Sequence, residues 1–187
     1  MSELTPSDQA FLLNLARHEI TAMLKSGVDL KRPDSLSSAV FENRGCFVTL
    51  HQNQALRGCI GTIEPEQPLI DNVSENAANA AFRDPRFSPV TLEELAAIDI
   101  EISVLSQPVG LIFEDGEDLK RQLKPGIHGV ILSRDWHRST FLPQVWEQLP
   151  EKEMFLRHLC QKGGMGGDCW KSTDTKVAVY TASYFSE

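Results

Sequence analysis

The sequence lacks the signals that would assign it to a membrane, to a secretory route or to a polyanion-binding class. Its apolar runs are short, such as Val109–Phe113, whereas a membrane-spanning helix needs about 18 apolar residues. The first residues are acidic and form no basic, apolar leader, so we expect a cytoplasmic protein. Only 18 lysines and arginines stand against 26 aspartates and glutamates, a net charge of −8. Because an acidic surface repels nucleic acid and anionic lipid, neither is expected as a partner.

Spacings typical of metal ligands are also missing. The five histidines are scattered, and the four cysteines form no C-x-x-C pair. A structural zinc site draws about four ligands from short spacings, so no metal and no other cofactor is expected. Thiols of cytosolic proteins are normally reduced, so we expect all four cysteines to be free: Cys46, Cys59, Cys160 and Cys169.

What remains has the composition of an ordinary globular domain, with 187 residues of which 41% are hydrophobic and 24% charged. No linker is long enough to separate independent domains, so residues 1–187 are predicted to form a single domain. Periodicity and capping signals predict helices over 6–27, 69–82, 114–123 and 151–161, and a short one beginning at Thr91. Strands are predicted over 46–50, 55–63, 99–105, 128–133, 139–142 and 176–183. About five helices mixed with hairpins indicate an α+β fold with antiparallel or mixed sheets.

The first hairpin carries the strongest local feature, the segment Leu56–Thr62. In a strand, Arg57, Cys59 and Gly61 share one face, and an arginine beside a thiol favours the reactive thiolate. Glycines weaken a strand, so Gly58 and Gly61 indicate a bulge or the close approach of a ligand or another backbone. One interpretation is a nucleophilic or ligand-contacting cysteine in a pocket opened by glycines. The other is a small buried cysteine packed beside a bulge.

The turn of this hairpin decides where a second cysteine lies. A two-residue turn at Gln52-Asn53 would place Cys46 directly opposite Cys59, close enough for a switchable disulfide. A three-residue turn would put the two thiols on opposite faces. Both alternatives are open at this stage.

Two further segments carry residues suited to binding or catalysis. Arg83, Asp84 and Arg86 close a predicted helix and enter a loop, where two arginines could clamp a carboxylate or phosphate. The alternative is an arginine paired with Asp84 or with carbonyls at the helix end. His128, flanked by glycines one and two residues away, could act as an acid or base and could pair with Cys59. The alternative is a structural residue held by a hydrogen bond, which is the commoner role of a lone histidine at a strand start.

The chain resembles a known family through six ordered blocks. These are Leu56–Gly61, Asp84–Pro89, Ile100–Leu105, His128-Gly129, Phe141–Val145 and Lys162–Gly164. The resemblance is to the AMMECR-type domain family, whose bacterial and archaeal members are called protein A of the AmmeMemoRadiSam system. It spans nearly the whole chain. The sequence departs from the family pattern at Gly163–Cys169, so Cys169 is not expected to take part in shared chemistry.

The resemblance implies a fold with a larger and a smaller lobe, in which the segment containing Cys59 faces a cleft between them. It also implies association with a Memo-like protein and a radical S-adenosylmethionine enzyme. On this basis we expect a pathway component whose cleft acts on or binds a small metabolite or a modified residue, with Cys59 and His128 as catalytic groups. The ligand-binding residues would be Arg57, Gly58, Gly61, Arg83, Asp84 and Arg86. The rival hypothesis is a non-catalytic adaptor that recognises an acidic group on a protein partner.

Overall fold

The computed structural model describes residues 2–27, 30, 35–64 and 66–187. These residues form two compact units. Unit 1 comprises the chain up to Leu105 together with Ser183–Glu187, and unit 2 is Ser106–Ala182. Each unit is built around a four-stranded sheet, so the α+β prediction is confirmed.

Five α-helices and eight strands lie within the described residues. The helices are α1 (Pro6–Leu24), α2 (Leu69–Phe82), α3 (Gly116–Gln122), α4 (Val145–Gln148) and α5 (Lys152–Lys162). The strands are β1 (Cys46–Gln52), β2 (Ala55–Thr62), β3 (Ile98–Leu105), β4 (Val109–Leu111), β5 (Gly129–Arg134), β6 (His137–Phe141), β7 (Lys176–Tyr180) and β8 (Ala182–Ser186). No helix among them is long and apolar enough to cross a membrane.

The sheet of unit 1 has the strand order β2-β1-β3-β8, with β1 antiparallel to both β2 and β3. Alternate residues of β1 and β3, such as Val48 and Ile102, are fully buried. They belong to one apolar cluster with residues of α1 and α2, so the helices cover this face of the sheet. The first helix is fixed locally by a capping box between Thr5 and Asp8, as the sequence predicts. It ends at Leu24 rather than continuing to the glycine at position 27.

Unit 2 contains the sheet β4-β7-β5-β6, whose assigned pairs are all antiparallel. The buried residues of its core come from the sheet, from α3, α4 and α5 and from the short helical turn Cys169–Lys171, and include Leu119, Leu132, Phe155 and Trp170. The predicted hairpin is present, with Asp135 at a positive φ of 54° in its turn. The sequence patterns missed β4 and α4, which are short.

Two expectations about the C-terminal third are wrong. The single strand predicted over 176–183 is divided at Thr181 into β7 and β8, which belong to different sheets. The expectation of four free thiols fails because Cys160 and Cys169 form a disulfide, with their Cα atoms 6.0 Å apart. The glycine-rich loop after α5 turns the chain back toward the helix end, which spacing alone does not reveal. Cys46 and Cys59 are free.

Candidate functional site

A polar row crosses the face of the unit 1 sheet that α1 and α2 leave uncovered. Thr49 on β1 lies opposite Cys59 on β2 and opposite Glu101 on β3. All three residues are half-buried. The Thr49 hydroxyl donates a hydrogen bond to the Cys59 sulfur at 3.3 Å. We call this face, made by Phe47, Thr49, Cys59, Gly61 and Glu101, the Cys59 face.

The register of the hairpin places the second thiol elsewhere. The turn is two residues long but consists of Asn53 and Gln54, both at positive φ, and the register shifts between Leu50 and His51, where β2 has one extra residue, Arg57. As a result Cys46 lies opposite Thr62 rather than opposite Cys59. The Cys46 side chain points into the helix-covered core, where burial raises its pKa to about 12. The alternative of a direct pair between the two thiols is therefore wrong.

The two glycines of β2 are required by close packing on opposite faces of the strand. A Cβ atom on Gly58 would lie 2.3 Å from the carbonyl oxygen of Ala80, because α2 approaches the strand closely there. A Cβ atom on Gly61 would lie 2.2 Å from the ring of Phe47 and 2.6 Å from the Cys46 carbonyl oxygen. Close approach of another backbone, one of the predicted reasons, accounts for Gly58. An aromatic ring laid across the strand accounts for Gly61.

Asp84 joins the loop after α2 to the free edge of β2. Its buried carboxylate accepts the backbone N–H of Cys59 at 2.9 Å, a group that an edge strand otherwise leaves unpaired. It also accepts from the backbone N–H of Arg86 at 3.1 Å and from two guanidinium nitrogens of Arg86 at 2.9 and 2.7 Å. The bidentate hydrogen bond to Arg86 holds the pKa of Asp84 well below its usual range despite burial.

Arg86 is held by this carboxylate but stays open to solvent. Its side chain is 54% exposed, although Nε and Nη2 are both bonded to Asp84 and Nη2 also donates to the Cys59 carbonyl at 3.3 Å. Within the described residues, Nη1 of Arg86 makes no hydrogen bond. The guanidinium carbon lies 5.4 Å from the centre of the Phe87 ring. The group is thus fixed in position while one of its nitrogens remains available.

Arg57, which was expected beside the Cys59 thiol, is engaged by a carboxylate instead. Its guanidinium donates to both oxygens of Glu94, at 2.9 and 3.1 Å, and to the Ser88 carbonyl at 2.9 Å. Arg57 lowers the pKa of Glu94 to about 2. The predicted role of Arg57 as the charge partner of Cys59 therefore falls to Arg86, which acts on the thiol electrostatically. Arg83 donates to the side chain of Asn79 at 3.2 Å, at the exposed end of α2.

Burial is the largest influence on Cys59, and it raises the pKa of the thiol. The hydrogen bond from Thr49 and the charge of Arg86 lower that pKa, while the carboxylates of Asp84 and Glu101 raise it. The net effect is a thiol that is protonated at neutral pH. A protonated thiol is a weak nucleophile but remains a small, polarisable contact for a ligand.

His128 lies in unit 2, apart in the chain from the other predicted site residues. Its Nδ1 accepts the backbone N–H of Lys124 at 3.2 Å, and its carbonyl accepts the indole N–H of Trp146 at 2.7 Å. Burial, and then the charge of Lys124, lower the pKa of His128. The imidazole is neutral at pH 7, and its pairing with Cys59 stays a prediction.

Three residues of the site were missed from sequence. Thr49 and Glu101 occupy the alternate positions of strands that were correctly predicted, and knowledge of the strand order would have placed them beside Cys59. Glu94 follows Thr91 at the spacing of a helix-capping residue, and it does accept the Thr91 N–H at 2.9 Å. Its second partner, Arg57, lies 37 residues away and leaves no local signal.

Comparison with known proteins decides the family. The AMMECR1 family model matches residues 13–185 of this chain. The chain belongs to the AMMECR1 family. A protein of Methanothermobacter thermautotrophicus is 41% identical over 177 residues, covering 94% of this chain and 92% of its own length. Protein PH0010 of Pyrococcus horikoshii is 38% identical over 187 residues, covering 95% and 88%.

The fold of the AMMECR1 family has also been observed experimentally. The crystal structure of the uncharacterised protein PH0010 matches this chain with a TM-score of 0.86 and 37% identity, covering 96% of this chain and 91% of that one. The family resemblance drawn from the six sequence blocks is therefore confirmed, together with the α+β fold.

Proposed function

We propose that this AMMECR1-family chain is the ligand-binding component of an AmmeMemoRadiSam pathway in the cytoplasm. In this proposal residues 1–187 act as one domain. The Cys59 face and the adjoining Arg86 bind a small metabolite or a modified residue through an anionic group. A Memo-like protein and a radical S-adenosylmethionine enzyme supply the chemistry.

The proposal is based on the hydrogen bonds and the solvent exposure of Arg86. Bidentate contact with buried Asp84 fixes the guanidinium, so little side-chain entropy remains to be lost when an anion binds. The exposed Nη1 can then donate to a carboxylate or phosphate. Cys59, whose carbonyl also contacts Arg86, lies beside this position and offers its protonated thiol as a further contact.

The protonated thiol favours binding over nucleophilic catalysis. A cysteine nucleophile needs a lowered pKa or an adjacent base, whereas burial raises the pKa of Cys59. The charges that act on the thiol have opposite effects on its pKa, since Arg86 lowers it while Asp84 and Glu101 raise it. In the proposal Cys59 is therefore a contact residue, and loss of its sulfur weakens binding without removing a reacting atom.

The proposal is tested by NMR titration of the ¹⁵N-labelled chain with inorganic phosphate and with succinate. We expect saturable shifts of the amide signals of Cys59, Arg86 and Phe87 with at least one of these probes. Arg86→Ala should reduce the apparent affinity at least tenfold, and Arg86→Lys should retain part of it. The spectrum of each variant shows whether it is folded.

A matched control variant is Arg121→Ala. Arg121 is also an exposed arginine paired with a nearby aspartate, Asp118, but it lies in α3 of unit 2. Its removal should leave the titration unchanged. Absence of shifts at the Cys59 face, or equal binding by Arg86→Ala, would overturn the proposal. Shifts there only with a purified Memo-like protein would instead support the adaptor hypothesis.

A further inference from the structure

Unit 2 contains a groove of about 470 Å³ that the proposed function does not use. It is lined on one side by Arg134, Asp135 and His137 of the β5–β6 hairpin. Its other wall is the segment from Met165 to Cys169. The volume lies within the range of small-molecule sites.

Only one of the two cysteines of the disulfide lines this groove. Cys169 lines the groove and is 6% exposed, whereas Cys160 lies on α5 with no exposed surface. The bond joins the end of the helix to the residue that closes the wall, so it clamps the loop between them. That loop contains four glycines, at positions 163, 164, 166 and 167. Glycine-rich backbone gains more conformational freedom than any other when such a clamp is released.

The contacts of the loop link its position to the opposite wall. The His137 ring donates from Nδ1 to the Gly163 carbonyl at 2.9 Å, because a carbonyl can only accept. Within the loop, the backbone N–H of Met165 donates to the Cys160 carbonyl at 3.0 Å. These bonds depend on a loop geometry that the disulfide holds in place. The groove is therefore shaped by the oxidation state of Cys160 and Cys169.

We propose that the Cys160–Cys169 disulfide is a redox-active site, reduced by thiols that enter the groove and attack Cys169. A thiolate of the reductant bonds to Sγ of Cys169, the S–S bond breaks, and the electron pair leaves on Sγ of Cys160, which takes up a proton. A second reductant thiolate then attacks the sulfur of the first in this mixed disulfide, and the electron pair leaves on Sγ of Cys169, which takes up a proton. Both cysteines end as thiols, and the two reductant thiols end as one disulfide.

The direction of attack is what distinguishes this site from a purely structural disulfide. A structural disulfide with no route of access is reduced only when the protein unfolds. Here the groove provides a route to Cys169 in the native state, and Cys160 is the shielded leaving sulfur. Arg134, on the opposite wall, is 39% exposed at 4.0 Å from Asp174, and it is the positive charge that an incoming thiolate meets beside the carboxylates of Asp135 and Asp168.

The test uses glutathione as the probe on the native protein, followed by acid quenching, unfolding in denaturant with N-ethylmaleimide, and peptide mapping. We expect glutathione on Cys169 and N-ethylmaleimide on Cys160, formed at a rate that mild denaturant does not change. Glutathione on Cys160, or reduction only at the rate of global unfolding, would overturn the proposal.

Two glycine variants provide a matched pair. A Cβ atom on Gly166 meets nothing within 4 Å, so Gly166→Phe places a ring in the groove without a clash at its base. We expect it to slow reduction by glutathione at least tenfold. Gly110 on β4 has equally open surroundings but does not line the groove, so Gly110→Phe should react at the parent rate. Equal rates for the two variants would contradict entry through the groove.

Amide hydrogen exchange gives a second readout. If the disulfide clamps the wall, peptides covering 161–168 should exchange at least tenfold faster in the reduced protein than in the oxidised one. Peptides of α2 in unit 1 should exchange alike in both forms. Unchanged exchange in the loop would show that reduction has no effect on the groove, against the proposal.

Discussion

The carboxylate of Asp84 accepts the backbone N–H of Cys59 at 2.9 Å across 25 residues of sequence. This bond closes the open edge of β2 and holds the loop after α2 against the strand. The same carboxylate holds the guanidinium of Arg86. One buried group therefore positions both the residue that carries the thiol and the cation of the candidate site. The site is therefore assembled by a structural ion pair.

Replacement of Asp84 by alanine should lower the free energy of unfolding by about 2 kcal/mol, because it removes the acceptor of charge-assisted and backbone hydrogen bonds in a buried position. Urea denaturation measures this change. Asp71→Ala, at an exposed position of α2, should change stability by less than about 0.5 kcal/mol. Equal effects of the two substitutions would contradict the proposed importance of Asp84.

The pH dependence of the Asp84→Asn variant follows from the lowered pKa of Asp84. A carboxyl whose pKa is lower in the folded state stabilises the fold above the unfolded-state value of about 3.9, and this contribution is lost as the pH falls toward the folded value. The stability difference between the parent and Asp84→Asn should be constant from pH 5 to 8. It should shrink below about pH 4. A stability difference that increased as the pH fell would contradict the prediction.

Cys59 should react with iodoacetamide at pH 7 more slowly than a model thiol such as N-acetylcysteine, because burial raises its pKa. The rate should increase as the pH is raised above 8. Removal of the hydroxyl donor by Thr49→Val should raise the pKa further and slow the reaction at pH 7. Mass spectrometry of the alkylated peptides measures the reaction rates of the parent and of Thr49→Val.

Cys46 is the internal control for this measurement, since it is fully buried and should react only on unfolding. Alkylation of Cys59 faster than the model thiol would contradict a protonated ground state. It would also restore the thiolate nucleophile as the leading hypothesis for this site.

Gly58→Ala should destabilise unit 1 by about 2 kcal/mol, since the added methyl group would meet the Ala80 carbonyl oxygen at 2.3 Å and force α2 away from β2. Gly110→Ala serves as the control because its new methyl group meets nothing within 4 Å. Thermal denaturation compares the two. A neutral Gly58→Ala would show that the helix can shift freely over the strand.

Local signals in the sequence were sufficient for the main helices and for the face that carries Cys59. The capping box of Thr5 and Asp8 begins α1 where predicted, and α2 has the predicted bounds of Leu69–Phe82. Strand alternation grouped Cys59 and Gly61 on one side, whereas Arg57 falls at the register shift of the hairpin, where the alternation is broken. These features depend on neighbours within a few residues, which is why composition and spacing reveal them.

The remaining features depend on contacts between distant segments. The pairing of Arg57 with Glu94 and the hydrogen bond from Cys59 to Asp84 require the loop after α2 to lie along β2. No periodicity encodes that position. The closure of Cys160 on Cys169 likewise depends on the path of a glycine-rich loop, whose residues carry almost no conformational preference.

The division of the C-terminal strand at Thr181 has a consequence for synthesis on the ribosome. Unit 2 is one continuous stretch, so its four-stranded sheet can close as soon as β7 has emerged. Unit 1 begins more than a hundred residues earlier but lacks its last strand, β8, and Glu187, the partner of Arg17, until the residues that follow unit 2 have been made. The N-terminal part of the chain therefore remains incompletely paired while the part made after it is already able to fold.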